Sequence, residues 1–546
     1  MSIEMRQIPF VRLMEEAMGE YEGKRSFFGV PVCPARSGAG TELFGSALES
    51  PVGPAAGPHT QLAQNLIAGY GAGARFFELK TVQVLWGEEL GIQRPCIYVR
   101  DEAYNVEWST ELSPRQAAEE YIKAWVAIKL LSREYGLGDP EGFVFNLSVG
   151  YDLPGIQSRS VDDFLNTMKD ATGDPCFTAC LEAARGLPLR RVDGAYIDAI
   201  SPRISNNSTI STMHGCPPEQ IRSIGAYMME EKGLHTSIKC NPTLLGPETC
   251  RRLLDGQGYE DIRFDDAQFE HDMKLQDALV MLGDLMDVGE RCGLRFGVKL
   301  TNTFPVRIER GELPGDTMYL SGKALFPLSL STAILLSEAT RGRLPISYSG
   351  GADASCVAEL FAAGVWPITV ATVLMKPGGY KNLTKLAAKC AGVAPHAGGV
   401  DAAALAALRT AALEQGEHFR RREPKKAPGG QPPFSCGRCS TCVDVCPNRA
   451  NRFVEGLERQ VVHLDGPCND CGCCESLCPF GLKPYADKFV LYPDRETLLE
   501  SERDGFVILP GGYLIRWQGR VREDAEALPE QARRFMDAVR AMNPAQ

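Results

Sequence analysis

Nine of the 19 cysteines fall between Cys436 and Cys478, in two runs of the same form. The first reads C-G-R-C-S-T-C-V-D-V-C-P and supplies Cys436, Cys439, Cys442 and Cys446. The second reads C-N-D-C-G-C-C-E-S-L-C-P and supplies Cys468, Cys471, Cys474 and Cys478. Both are C-x2-C-x2-C-x3-C-P. Three thiolates at that spacing wrap one face of an iron–sulfur cube, while the fourth, held by its proline, turns to the other cube. The spacing therefore predicts two [4Fe-4S] clusters. Cys436, Cys439, Cys442 and Cys478 would hold one, and Cys468, Cys471, Cys474 and Cys446 the other. Zinc knuckles are the alternative, but zinc sites usually use two pairs with a wide gap. Cys473 falls outside the pattern and is expected to be a packed or hydrogen-bonded thiol. A secreted disulfide framework would spread its cysteines through a short chain, which is not the case here.

The remaining sequence must position this chemistry. The chain has 546 residues, 44% apolar and 23% charged, with a net charge of −11. That balance excludes wholesale disorder, and the acidic surface argues against nucleic acid as a partner. No run of apolar residues is long enough to span a membrane. MSIEMRQIPFVRL lacks an apolar signal region and reads as a mature start, so a cytoplasmic protein is expected. Three parts emerge. Residues 1–395 alternate β-rich runs with helical stretches, as in an α/β domain. Residues 396–434 hold an Ala-rich helix, the basic stretch Arg420–Lys426 and a Pro/Gly linker, read as a solvated hinge. Residues 435–490 carry the cysteine motifs, and 491–546 read as a hairpin followed by a charged helix.

Eight strands are predicted in the large domain, at 50–57, 75–81, 143–148, 208–212, 236–240, 295–301, 345–351 and 367–372. YEDIRF at 259–264 is a further candidate, and a long insertion spans 152–207. Eight β-α units predict a (β/α)8 barrel, whose active site lies at the C-terminal ends of the strands. Polar and glycine residues do gather there, including Lys80, Thr81, Asn146, Cys216, Lys239, Asn302, Thr303, Ser349, Gly350, Gly351, Ala371 and Thr372. Barrels often bind phosphate in the loops after strands seven and eight, so SGG at 349–351 and SGKALFP at 321–327 fit a phosphate clamp.

SPVGPAAG, ELKT, IKCNPT, LTNT, SGKALFP and SYSGG, in that order, resemble the flavin-binding barrel of the dihydroorotate and dihydropyrimidine dehydrogenases. The cysteine region, with VVHLD at 461–465 as a strand, resembles bacterial two-cluster ferredoxins. STMHGCPP and KLTNT ahead of such a region are similar to proteins named as selenate reductase subunits, which are associated with anaerobic purine and heterocycle catabolism. The resemblance implies a TIM barrel binding FMN, followed by a small α+β ferredoxin domain. It places Lys80 and Thr81 at the flavin ring and Lys239 near flavin N1, with Lys299 a competitor for the last role. Gly322, Ser349, Gly350, Gly351, Ala371 and Thr372 would surround the phosphate. Asn302 and Thr303 would bind the substrate ring, with Asn146 or Asp152 as a further contact. Cys216, in HGCPP, would exchange the proton that accompanies hydride transfer, and its place before a helix is expected to lower its pKa. His214 is the weaker alternative. STMHG replaces the Asn-rich sequence of the dihydropyrimidine enzymes before the Cys-Pro, which points away from a simple pyrimidine.

No G-x-G-x-x-G follows a strand and opens a helix. Electrons are therefore expected from a separate partner: an FAD/NAD(P)H reductase, a ferredoxin or a molybdenum hydroxylase. A homodimer is compatible with the sequence. The leading expectation is an FMN-dependent iron–sulfur oxidoreductase acting on a C=C or C=N bond of a purine-related N-heterocycle. The competing readings are an electron-transfer subunit using flavin as a relay, and a selenate or other oxyanion reductase subunit.

Overall fold

The computed structural model describes residues 5–33, 41–107, 109–211, 215–422, 439–457 and 460–542. Eight parallel strands form the centre: β1 (Val52–Pro54), β2 (Phe76–Glu78), β3 (Val144–Val149), β4 (Asn207–Ile210), β5 (His235–Cys240), β6 (Phe296–Leu300), β7 (Ile346–Tyr348) and β8 (Ile368–Val370). Their order is β1-β8-β7-β6-β5-β4-β3-β2, with every pair parallel, as in a TIM barrel. All eight sit where the hydrophobic runs predicted them. The ends of the sheet meet where Arg75 N donates to Val52 O at 3.0 Å. Closure depends on Gly53, because a Cβ there would fall 1.5 Å from the Phe76 carbonyl oxygen.

The helices follow from local signals. Pro114–Tyr135 starts at a reciprocal cap: Ser113 Oγ accepts from Gln116 N at 3.3 Å, and Gln116 Oε1 accepts from Ser113 N at 2.9 Å. Pro114 at the first helical position and the left-handed Gly136 mark its two ends. Tyr121, Trp125 and Ile128 on this helix are buried against the barrel, with Trp125 packing on Phe143 and Phe145. The insertion after β3 is helical, with Leu153–Ile156, Arg159–Lys169, Pro175–Arg185 and Gly194–Asp198. YEDIRF is not a strand. Tyr259 and Ile262 are instead buried in a loop, packed beside Leu254 and Phe269.

The two ends of the barrel differ. A hairpin, Thr41–Leu43 with Ser46–Leu48, plugs the N-terminal end, where Leu43 and Leu48 pack on Phe76 and Val144. At the C-terminal mouth a four-stranded antiparallel sheet stands outside the barrel, formed by Ile97–Val99, Glu102–Asn105, Phe304–Arg307 and Thr317–Gly322.

Part of the expected hinge is docked. Arg421 pairs with Glu102 and Asp261 and lies over the Tyr259 ring. Residues 423–438, which include Cys436 and the rest of the basic stretch, lie outside the described residues, as does His214. The C-terminal part holds a six-stranded sheet in the order Asn451–Phe453, Val461–Leu464, Val490–Leu491, Gly505–Leu509, Gly512–Trp517 and Arg520–Arg522. The helix Glu530–Met542 covers it with Phe535, Met536 and Val539. Among the described residues no helix is long and apolar enough to cross a membrane.

Candidate active site

Two adjoining chambers open at the C-terminal ends of the strands. One, of about 500 Å³, is lined by Thr301, Ser321, Gly322, Ser349, Gly351 and Thr372 among others. Its neighbour, of about 410 Å³, is lined by Lys80, Thr81, Glu107, Ser211, Asn302 and Tyr319 among others. Lys239, Thr303, Ser321 and Ala371 border both.

Three lysines rise from the barrel interior, and their partners separate their roles. Lys80 pairs with the buried Glu107. Lys299 pairs with Glu78 and donates to Thr369 Oγ1 at 2.6 Å. Lys239, between the chambers, makes no hydrogen bond or ion pair with a described residue. Its ammonium is desolvated, and Lys299 and Lys80 repel it, while Glu78 only partly offsets these effects. Its pKa is lowered to about 8. An unpaired, half-desolvated cation facing a cavity is a site for electron-rich groups. Between the two competing lysines, Lys299 is committed to Glu78 and Lys239 is the one available.

The far end of the larger chamber suits a phosphate. Gly322 and Gly351 have φ +78° and +76°, and a Cβ on Gly351 would lie 2.3 Å from the Gly322 carbonyl oxygen. The close approach of these two loops requires Gly351, and Ser321 Oγ and Thr372 Oγ1, 3.0 Å apart, tie the Gly322 loop to the one after β8. Lys323, Lys376, Lys385 and His418 line the same chamber, with Lys323 paired to Asp101 and His418 to Asp353. Gly350 plays a different part from the one expected. It does not line the chamber, and a Cβ there would strike Ser329 Oγ at 1.8 Å, so its role is packing.

Asn302 donates from Nδ2 to Asn241 Oδ1 at 2.7 Å, which fixes its amide at the chamber wall. Asn241 donates in turn to Asp272, whose other oxygen accepts from Gly215 N at 2.6 Å. The loop that carries Cys216 is thus tied to Asn302. Two expectations about this loop need correction. Cys216 does not line either chamber, and its thiol points to Gln220 Oε1 at 3.3 Å. Its pKa is raised to about 11, by burial and by Asp152, rather than lowered. The helix Pro218–Glu230 begins after it, but desolvation and a nearby carboxylate outweigh the helix end. Asn146 is also misplaced by the sequence. It lies inside the barrel toward the plugged end, bonded to Asn207 and Thr209, where side chains of a six-residue strand alternate away from the mouth. Asp152 lies outside the chambers and caps the helix Leu153–Ile156 by accepting from Gly155 N at 2.9 Å.

The cysteines lie across one wall. Ile97 and Met375 line the smaller chamber. Behind them Ile97 N donates to Cys471 O at 2.8 Å, and Cys473 Sγ donates to Met375 O at 3.8 Å and Val445 O at 3.4 Å. Burial pushes the Cys468, Cys471 and Cys474 thiols upward, and Cys446 adds to the shift of each. Those four therefore share one neighbourhood. Cys446 Sγ accepts from Ala450 N at 3.1 Å and Cys468 Sγ from Asp470 N at 3.4 Å, the kind of N–H bond that tunes a cluster sulfur. Cys439, Cys442 and Cys478 are described, but their partner Cys436 is not. Among the described residues no three His, Cys, Asp or Glu side chains are arranged to hold a metal ion.

A family model described as the N-terminal TIM-barrel domain of the oxidoreductase YgfK matches residues 28–420. The chain belongs to this family. "Putative oxidoreductase YgfK" of Escherichia coli K12 and its counterpart in Escherichia coli O157:H7 are each 45% identical over 398 residues. The match covers 70% of this chain but 38% of those proteins, so the chain spans under two fifths of the length of the curated relatives it matches. Among solved structures, DHODH of Eimeria tenella in complex with ferulenol is similar at 15% identity and a TM-score of 0.40, covering 69% of this chain and 89% of that one. The ligand-free DHODH of the same organism gives 16% and 0.42, covering 70% and 96%. The family is described as an oxidoreductase TIM barrel. Sequence reasoning missed Glu107, Tyr319 and Lys376 at the barrel mouth, because the antiparallel excursion that delivers the first two has short, weakly patterned strands.

Proposed function

We propose that the chain is an FMN-dependent iron–sulfur oxidoreductase acting on a C=C or C=N bond of a purine-related N-heterocycle. A separate protein would exchange electrons with it through two [4Fe-4S] clusters. The observation that carries this reading is the unpaired Lys239 ammonium between two chambers whose wall is backed by the Cys471–Cys474 peptide. The residues fit the flavin: a cation for its electron-rich ring edge, and the glycine-lined end of a lysine-bearing chamber for its phosphate. For a cluster the chain offers the right kind of donors, the thiols of Cys468, Cys471 and Cys474 with Cys446 beside them.

Bound flavin would supply hydride chemistry at the chamber. The chain's own residues do the rest. Lys239 holds positive charge at the ring, and Asn302, braced by Asn241, orients the heterocycle together with Thr303. Cys216, whose thiol lies outside both chambers against Gln220, would supply the proton only on reaching the chamber. A thiol with a pKa near 11 stays protonated at neutral pH, as a donor must. The Asp272–Asn241 bridge ties Gly215, next to Cys216, to the Asn302 wall.

Purification without oxygen, followed by assays of iron, sulfide and released flavin, tests this reading. About eight irons and one flavin per chain are expected, after which a heterocycle screen with an artificial reductant would follow. Iron without flavin, even after reconstitution, would discard the enzyme and leave an iron–sulfur partner protein.

A further inference from the structure

Between the smaller chamber and the Cys471 peptide lies a buried charge network that no step above uses. Glu107 is fully enclosed, borders the chamber and pairs with Lys80. On its other side Cys96 Sγ donates to Glu107 at 3.6 Å and accepts from Arg94 Nη1. Arg94 also pairs with Glu111, which accepts from Asn469 Nδ2 at 3.1 Å. The same segment is bolted to the cysteine loop. Cys96 N and Ile97 N both donate to Cys471 O, at 3.1 and 2.8 Å, and a Cβ on Gly472 would fall 2.4 Å from Pro95 Cβ.

The arrangement is two cations and two carboxylates fixed between the chamber and Cys471, with Lys80 and Glu107 buried and Arg94 and Glu111 partly exposed. Opposite charges of this kind act strongly on a neighbouring redox centre, because little solvent screens them. Arg94 and Glu107 flank the Cys96 thiol from opposite sides, and the Cys96 backbone N–H is bonded to the Cys471 carbonyl, so two opposite charges reach the cysteine loop through one residue. We propose that Arg94 and Glu107 are positioning residues that set, in opposite directions, the reduction potential of the cluster held by Cys446, Cys468, Cys471 and Cys474. The inference rests on the iron–sulfur reading above. Arg94 favours the added negative charge of reduction and Glu107 opposes it. Glu107 touches the chamber through Lys80, so the same carboxylate biases the centre on either side of the wall.

The test is an EPR-monitored potentiometric titration of the anaerobically purified holoenzyme and of R94Q, E107Q and the double variant. R94Q should lower the midpoint of one cluster, E107Q should raise it, and the double variant should return it toward the wild-type value. The other cluster should stay in place. A merely structural role would move both single variants the same way. If Arg94→Gln does not fold, Arg94→Lys keeps the charge but loses the fork to Cys96 and Glu111, and should lower the midpoint less. Iron-loaded variants with unchanged or same-direction midpoints overturn the proposal while leaving the proposed function intact. A chain that takes up no iron overturns both.

Discussion

At the scale of the residue, the two lysines that the sequence left in competition should respond to the same change in opposite ways. Lys299 neutralises Glu78 in the barrel interior. Lys299→Met strands that carboxylate and should cost about 3–5 kcal/mol in a denaturant melt, the usual result of breaking a buried pair. Lys239→Met removes a cation that the apo protein holds at a penalty, so the fold should keep or gain stability while flavin content and flavin potential fall. The pH dependence separates the two further. The lowered pKa of Lys239 means that between about 8 and its ordinary 10.5 the unfolded chain binds a proton the native chain does not. Wild-type apo stability should therefore rise through that window relative to Lys239→Met, and the difference should be flat below it. Cys216→Ala should cut turnover by roughly 10²–10⁴-fold, the usual worth of a general acid, with flavin still bound. Because the thiol pKa is about 11, the wild-type rate should show no loss of a proton donor from pH 7 to 10. Normal turnover in the variant would remove Cys216 from the mechanism.

At the scale of the element, what could be read from the sequence was whatever repeats or is wholly buried. Buried parallel strands are rich in apolar and β-branched residues, which is why RFFELKT, FVFNLS and RFGVKLT stood out despite the polar residues each carries toward the mouth or interior. The mouth sheet did not, since Ile97–Val99 and Glu102–Asn105 are only three and four residues long and the second carries a charge at Glu102. Asn146 went astray for a related reason: a position along a strand gives its distance from the mouth only once the strand's end is known. Cys216 was placed correctly in sequence but not in its electrostatics, because burial, and after it Asp152 across the insertion, set its pKa. One glycine carries more of the architecture than its neighbours suggest. Gly53→Ala sets a methyl group against the Phe76 carbonyl across the closing seam. It should destabilise the barrel by roughly 3 kcal/mol or more, the range reserved for overpacking without room to relax. A thermal melt unchanged within a degree would mean that the seam is looser than it looks.

At the scale of the whole molecule, the cysteine-bearing part and the barrel share one apolar cluster, in which Ile97, Val99 and Met375 pack with Val443, Val445 and Cys473, and at two glycines the two parts also approach very closely. Gly472 lies against Pro95, and Gly379, at the lip after β8, would put a Cβ 1.8 Å from the Asp444 carbonyl oxygen. Arg449 extends the same seam by donating to Phe28 O at 2.9 Å and Val443 O at 2.7 Å. Contacts with so little slack couple two units into one cooperative structure, because neither can shift without breaking buried hydrogen bonds of the other. Calorimetry of the full chain should therefore show a single transition in which barrel and C-terminal sheet melt together. Gly379→Ala forces a gap at the seam without touching the core of either part, and should split that transition in two, the smaller one at lower temperature. If it melts as one transition at the wild-type temperature, the seam is not what joins them. The apolar cluster around Ile97 and Met375 would then have to hold the two parts together alone.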